Sequence, residues 1–352
     1  MLREAFPEYR IERISILDLV KAHKTWFAPN LIAVALEYGA NVVQGLVPLR
    51  TRFFQTTYLF KKIRAAIRRR VDPSRHVFSF QAQSQYDTSV PGLPHFIYTD
   101  HTHLSNLASP YFDRRLLRPR RWIELERTVY ANAARVFTRS SDVTADVTAH
   151  YGIAPEKVSC VYTGSNVSVP DDLRLQNDSY GNRTILFVGA DWERKGGPTL
   201  VAAFKQVLLA YPDAQLIVAG AKPVLDVANC TVLGHVPLAE LSHYYARASV
   251  FCLPTRLEPF GIAYLEAMMH RLPVVATRVG AVPDMVLEGQ TGRLVEPGDA
   301  AALAAALIDV LGDPATARRY GEAGFVRATE TYTWQRVGQR IRALVLPAIA
   351  QD

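Results

Sequence analysis

The sequence predicts an α/β protein of two parallel-sheet domains, and three observations carry that expectation. Apolar strand-like runs alternate with longer helical stretches along the chain, as in a parallel sheet with crossover helices. One polar, charged run, 169–183, interrupts the alternation and reads as a linker. After it the strands become continuous apolar segments, as strands buried on both faces do. At 352 residues the chain is long for one domain and comfortable for two. The domains are expected at 1–168 and 184–334, each Rossmann-like, with a cleft between them. The helical tail 335–352 is left open to pack back on the first domain. Sheets of this kind place ligands at the carboxyl ends of their strands.

Composition narrows the function classes only a little. Apolar residues make up 49% of the chain, enough for sizeable cores, and the net charge of +7 fits an anionic substrate, a membrane surface or nucleic acid alike. Three scattered cysteines, Cys160, Cys230 and Cys252, have no metal spacing and point to a reducing compartment without disulfides. Cys252 lies in an apolar strand and reads as core. No signal-peptide pattern opens the chain, and no run of 18 apolar residues appears. The expectation is a cytoplasmic protein, with the inner membrane surface as a peripheral alternative.

Taken in order, Tyr9–Leu17 reads as a strand, Phe27–Tyr38 as a helix stopped by Gly39, and Asn41–Leu46 as a strand. A helix at 53–71 carries Lys61, Lys62, Arg64, Arg68, Arg69 and Arg70 opposite Phe54, Leu59, Phe60, Ile63 and Ile67. It is basic and amphipathic. The readings for it are an ordinary solvated face or docking onto anionic lipid headgroups. Nucleic acid is not expected, since no aromatic-plus-basic platform or groove-reading motif accompanies the charge. Strands follow at His76–Phe80 and His95–Thr99, the second running into Asp100-His101-Thr102-His103. A helix over Arg121–Ala134, a strand at Arg135–Thr138, a helix to His150 and a strand at Val158–Tyr162 complete the first domain.

The second domain has strands at Thr184–Gly189, Gln215–Ala219, Val232–Leu233, Ser249–Leu253 and Pro273–Ala276, then helices. Three of its strand ends carry chemistry. Gly189 opens into Ala190-Asp191-Trp192-Glu193-Arg194-Lys195-Gly196, where two cations beside glycines and a helix start form a diphosphate clamp or an ordinary charged loop. Leu253 opens into Pro254-Thr-Arg-Leu-Glu258-Pro-Phe-Gly261-Ile262, with a helix starting near Phe260 and Glu266 inside it. Unpaired amides and the positive helix end make that tip an anion site. Glu258 and Glu266 flank it, Glu266 roughly 9 Å along the axis, which suits a ligand with a phosphate end and a hydroxyl end. The third strand end carries Arg278-Val-Gly280, where glycine lets backbone approach a ligand. No G-x-G-x-x-G follows any strand, which counts against NAD or FAD.

Together these residues resemble the C-terminal half of a family-4 glycosyltransferase of the GT-B fold. The resemblance rests on Phe187-Val-Gly189, Arg194-Lys195-Gly196, Gly234-His235, Leu253-Pro-Thr255, Glu258-x7-Glu266, Pro273-Val-Val-Ala276, Gly280 with Pro283, and Gly289-Gln-Thr-Gly292. It is weaker over Glu126, Tyr130, Ser140 and Tyr151-Gly152. It implies a retaining, metal-independent hexosyltransferase that takes a UDP- or GDP-sugar donor and no cofactor. The acceptor is then a glycan, a lipid-linked saccharide or a small sugar. Catalytic roles are implied for Glu258, His101, Lys195 and Arg194. Lys195 and Arg194 bind the diphosphate, Glu258 faces the sugar, Gly261 and Ile262 offer amides, and Glu266 holds the ribose. Asp100 and His101 lie near the transferred sugar, with His103 as the competing histidine, and Gly189, Asp191 and Gly280 line the donor.

Two departures accompany the resemblance. Ala190 stands where the family often has an arginine, and Arg194 is expected to supply that charge. The family's first strand and glycine-rich loop have no counterpart, the first glycine being Gly39; a shortened first domain is expected. That leaves a catalytically silent GT-B subunit as the alternative. A hydrolase is disfavoured, because its two carboxylates must converge on one bond.

Overall fold

The computed structural model describes residues 1–46, 48–167 and 179–350. Most of the expected linker, residues 168–178, lies outside the described residues. The chain divides into two compact units, Met1–Val161 with Gly338–Asp352, and Tyr162–Val337. Each has its own parallel sheet.

In the first unit four parallel strands lie side by side in chain order: β1 (Ser79–Ala82), β2 (His95–Thr99), β3 (Arg135–Thr138) and β4 (Val158–Cys160). β2 is buried at every residue, and Phe96 stacks on Phe137 of β3 at 6.0 Å. Among the described residues before Thr184, the α-helices of this unit are α1 (Leu2–Ala5), α2 (Ile16–Ala22), α3 (Phe27–Val43), α4 (Leu49–Phe53), α5 (Thr57–Arg70), α6 (Arg120–Ala131) and α7 (Ser141–Ala149). Leu59, Phe60, Ile63 and Ile67 of α5 share a core with Ile97, Val129, Tyr130, Val136, Val143 and Val147.

Several expectations for the first 80 residues fail. Tyr9–Leu17 is no strand: Ser15 caps a helix by accepting from the Asp18 amide at 3.2 Å. Ile16, Leu19 and Val20 then read with helical rather than alternating period. Asn41–Leu46 is no strand either, because α3 runs through Gly39 to Val43. Its stop is Gly45, at φ +68°, where the Gly45 and Leu46 amides close on the Val42 and Asn41 carbonyls. The expected helix 53–71 is two helices, broken at Thr56, whose hydroxyl caps α5. The strand expected at His76–Phe80 starts at Ser79. The apolar face of α5 is packed inside the core, so this helix cannot lay that face on a bilayer. Lys61, Lys62, Arg68, Arg69 and Arg70 remain exposed.

The second unit holds a six-stranded parallel sheet in the order β10-β9-β8-β5-β6-β7. The strands are β5 (Thr184–Gly189), β6 (Gln215–Gly220), β7 (Cys230–Gly234), β8 (Val250–Leu253), β9 (Val274–Thr277) and β10 (Gly292–Val295). The connecting helices are α8 (Gly197–Ala210), α9 (Leu238–Arg247), α10 (Ile262–Met269), α11 (Val282–Met285), α12 (Ala300–Gly312), α13 (Pro314–Thr331) and α14 (Trp334–Ile349). The chain winds outward from β5 to β7, then returns beside β5 and winds the other way from β8 to β10. Parallel β5 and β8 pair directly, Ile185 with Val250 and Leu186 with Phe251. That reversal is a topological switch point, the place at which open α/β sheets bind their ligands. Cys252 on β8 is fully buried among apolar neighbours, as its strand position implies.

Candidate active site

The loops leaving β5 and β8 are the ones that carry Lys195 and Glu258, and the structure joins them. Lys195 Nζ and Glu258 Oε2 form a direct ion pair with side chains 13% and 5% exposed. A loop lysine and a loop glutamate usually stay in water, and burying both is costly unless each neutralises the other. Arg194 braces the same junction. Its Nη1 donates to the Leu257 carbonyl at 2.9 Å and its Nε to Asp191 Oδ2 at 3.2 Å. The Arg194 carbonyl accepts from the Arg256 amide and the Thr255 hydroxyl.

Glycines let the loops come this close. Gly196 has φ +78°, and a Cβ there would sit 1.8 Å from the Pro254 carbonyl oxygen. Gly280, in the loop after β9, has φ +49°, and its Cβ would meet the Glu258 carbonyl oxygen at 2.1 Å. Any other side chain at either place would push the Glu258 loop away. Gly189 ends β5, where a Cβ would lie 3.0 Å from Lys195 Cγ.

Gly261 is the N-cap of α10 at φ +90°, one residue before the helix rather than in its first turn. Its Cβ would collide with the Tyr264 ring at 2.5 Å, and Tyr264 is fixed by donating to the Leu253 carbonyl at 2.7 Å. No side chain caps α10; the Tyr264 amide donates to the Gly261 carbonyl, the amides of Ile262 and Ala263 have no capping side chain, and the Cβ position of Gly261 lies 3.1 Å from Glu258 Cγ. Glu266, the fifth residue of α10, is buried and accepts from Tyr245 Oη of α9 at 3.0 Å. Burial raises its carboxyl above the ordinary value, with the tyrosine hydrogen bond opposing.

In the first unit, β2 ends at Thr99 and leads into Asp100 and His101. Asp100 pairs with Arg139 at 3.2 Å. His101 Nδ1 lies 2.9 Å from Ser105 Oγ and Nε2 lies 2.9 Å from Asn106 Nδ2. Burial depresses its pKa, and Asp100 and Asp146 work against that. His103 is held differently. Its Nε2 accepts the Arg118 amide at 2.8 Å, its ring meets Trp122 edge-on at 5.8 Å, and burial brings it down to about 3. A neutral ring accepting a backbone amide is a structural role. Beside it, Glu126 accepts from the His103 amide and from Tyr151 Oη, and burial pushes its carboxyl up to about 7.

Sequence reading thus found the residues that meet at the β5/β8 switch point but missed their supports. Tyr245, 21 positions from Glu266, carries no local signal; Thr255 and Tyr264 lie in the stretch that carries Glu258 and Gly261, but their bonds to the Arg194 and Leu253 carbonyls are set by packing. Gly196 had one, a Gly-Gly pair directly after Lys195. Among the described residues, no group of three or more His, Cys, Asp or Glu gathers as a metal site.

Residues 182–313 match the family model described as glycosyl transferases group 1, and residues 19–169 match that of glycosyltransferase family 4. The chain is 35% identical over 170 residues to a GDP-mannose-dependent alpha-(1-6)-phosphatidylinositol monomannoside mannosyltransferase of Mycolicibacterium smegmatis, covering 43% of this chain and 44% of that protein. It is 29% identical over 250 residues to an MMP alpha-(1->4)-mannosyltransferase of Mycolicibacterium hassiacum, covering 66% and 59%. The chain therefore spans about half the length of these curated relatives. Among solved structures, sucrose-phosphate synthase from Thermosynechococcus elongatus superposes with a TM-score of 0.69 at 23% identity, covering 87% of this chain and 81% of that one. WaaG, a glycosyltransferase involved in lipopolysaccharide biosynthesis, gives 0.61 at 18%, covering 82% and 81%. At these identities the superpositions carry the fold.

Proposed function

The chain belongs to the family-4 glycosyltransferases and has their GT-B fold, and from that premise we propose that it moves a hexose from a nucleotide-diphosphate sugar to a saccharide or lipid-linked acceptor. The observation that carries the proposal is the buried Lys195–Glu258 pair at the β5/β8 switch point, braced by Arg194 and set beside the uncapped start of α10.

A diphosphate entering this crevice takes over Lys195 as a partner, and Arg194 and the α10 amides add to the countercharge. Glu258 is then released toward the sugar hydroxyls, and Glu266 lies farther along α10, on the ribose side. The acceptor hydroxyl attacks the anomeric carbon on the face from which the diphosphate leaves. As the new carbon–oxygen bond forms, the bond to phosphate breaks, and the leaving phosphate oxygen takes the acceptor's proton. Configuration is retained. The leaving charge is stabilised by cations and helix dipole, without a metal. His101 and Asp100 are proposed to serve the transferred sugar. Relatives described as GDP-mannose-dependent make GDP-mannose the first donor to try, with UDP-hexoses next.

The test is a thermal-shift screen of nucleotide sugars, then release of nucleoside diphosphate in the presence of acceptors. Lys195→Ala should weaken donor binding by about tenfold or more, and Glu258→Ala should cost turnover on the order of 100-fold. Turnover untouched by either substitution would overturn the site. Donor binding without turnover, for every acceptor tried, would favour a GT-B subunit that binds and does not transfer.

A further inference from the structure

We propose that α3 is a membrane-docking helix, and that this chain rests on an anionic bilayer through the outer face of α3 and the cationic pocket beside its start. The inference stands apart from the transferase reading and concerns a different surface.

The inner face of α3 is ordinary: Asn30, Val34 and Tyr38 are buried. Its outer face is not. Ile32 is 63% exposed, Leu36 82% and Val43 88%, with Ala28, Ala35, Gly39 and Ala40 between them. The outer face of a helix on a water-soluble domain is normally charged or polar. The helix has one charged residue, Glu37, and it is turned inward, where it accepts from the Thr57 amide and hydroxyl at the start of α5. From Ala28 to Val43 the result is an apolar strip about 22 Å long, at ~1.5 Å per residue, which calls for a partner. No helix among the described residues is long and apolar enough to cross a membrane. A strip lying in the interface plane needs no such length.

Charge selects the bilayer over a protein partner. Residues 13–70 hold eleven lysines and arginines against Asp18 and Glu37, a surplus greater than the +7 of the whole chain. Part of it collects where α3 begins. A pocket of about 930 Å³ lies between α2 and α5, lined by Arg13, Lys62, Arg69 and Arg70 with Asp18 as its one carboxylate, over an apolar floor that includes Trp26. Trp26 directly precedes α3. An apolar helix face that begins beside a cationic pocket, with Trp26 lining that pocket and directly preceding α3, offers an anionic membrane both of the groups it binds, apolar surface for acyl chains and cations for phosphates.

The chain should float with vesicles of phosphatidylcholine containing phosphatidylglycerol and stay behind with phosphatidylcholine alone. Ile32→Glu with Leu36→Glu should lower partitioning by about tenfold or more, with an unchanged melting temperature because both side chains are exposed. Lys62→Glu should lower it by about fivefold, a loss that added salt should reproduce in the parent protein by screening the same attraction. Val43→Glu repeats the apolar test at the far end of the strip. No binding to the anionic vesicles would overturn the proposal. So would binding unaffected by the glutamates, or a dimer in light scattering that Leu36→Glu converts to monomer without any vesicle binding.

Discussion

At the residue scale, the site depends on a few groups that burial has changed. Lys195 was legible as a cation at a strand end suited to an anion, and Glu258 and Glu266 as carboxylates flanking a helix start that suits a ligand with a phosphate end and a hydroxyl end. The pairing of Lys195 with Glu258 was not legible, since 63 positions separate them and only the β5/β8 adjacency brings them together. Glu126 shows the same limit: its helical position says nothing about Tyr151 or His103. Its carboxyl is raised to about 7, so the folded state holds a proton that the unfolded chain releases near pH 4.5. Stability from this group is present below that pH and is lost as pH rises toward 7. His95 and His103, depressed by burial to about 4 and about 3, act oppositely and favour the folded state as pH rises toward 6.5. Between pH 5 and 6.5 the two effects oppose one another. Glu126→Gln removes only the glutamate's contribution, so its stability relative to the parent should improve from pH 5 to pH 8 by on the order of 3 kcal/mol. Urea unfolding at both values checks this; an equal change at pH 5 and pH 8 would show that Glu126 is ionised throughout.

At the element scale, the second unit was easier to read than the first. Five of its six strands, β5 to β9, are mostly apolar and bounded by glycine, proline or charge, and the reading placed them within about two residues; β10, a short strand that carries Arg293, was missed. The helices of the first unit were harder because breakers were misjudged. Gly39 lies in open space with nothing within 4 Å of its Cβ position, so α3 passes through it. Thr56, an ordinary residue in the sequence, is the true boundary. Its hydroxyl accepts from the Leu59 amide at 3.1 Å and donates to Asn30 Oδ1, while Asn30 Nδ2 donates to the Phe53 carbonyl at 2.7 Å. One buried threonine thus starts α5 and ties α3 to the end of α4. Thr56→Ala should cost about 2 kcal/mol, combining a lost cap with a buried amide left short of a partner. Thr56→Ser should recover most of it. Chemical denaturation distinguishes the two, and equal losses for both would mean that the methyl packing matters rather than the hydroxyl.

At the scale of the whole molecule, the unit boundary falls inside a helix. α14 begins at Trp334 in the second unit and passes at Gly338 into the first. There Gly338 packs on Ala5, Arg342 donates to the Ala5 carbonyl and to Glu8 at 2.7 Å, and Ile341 and Val345 are fully buried. This return was left open by the sequence, because an amphipathic tail does not say which core its apolar face joins. The contacts make a specific demand. Deleting residues 338–352 uncovers α1 and removes two buried aliphatic side chains, at about 1.5–3 kcal/mol each. The first unit should therefore weaken by several kcal/mol while the second keeps its fold. Hydrogen exchange measures the two separately: amides of β2 and β3 should lose protection, and those of β5 and β8 should keep it. Lys195, Glu258 and Glu266 all belong to the second unit, so a nucleoside diphosphate should still slow exchange in β5 and β8 of the truncated chain. Equal loss of protection in both sheets would show that the units fold as one body, coupled through more than α14.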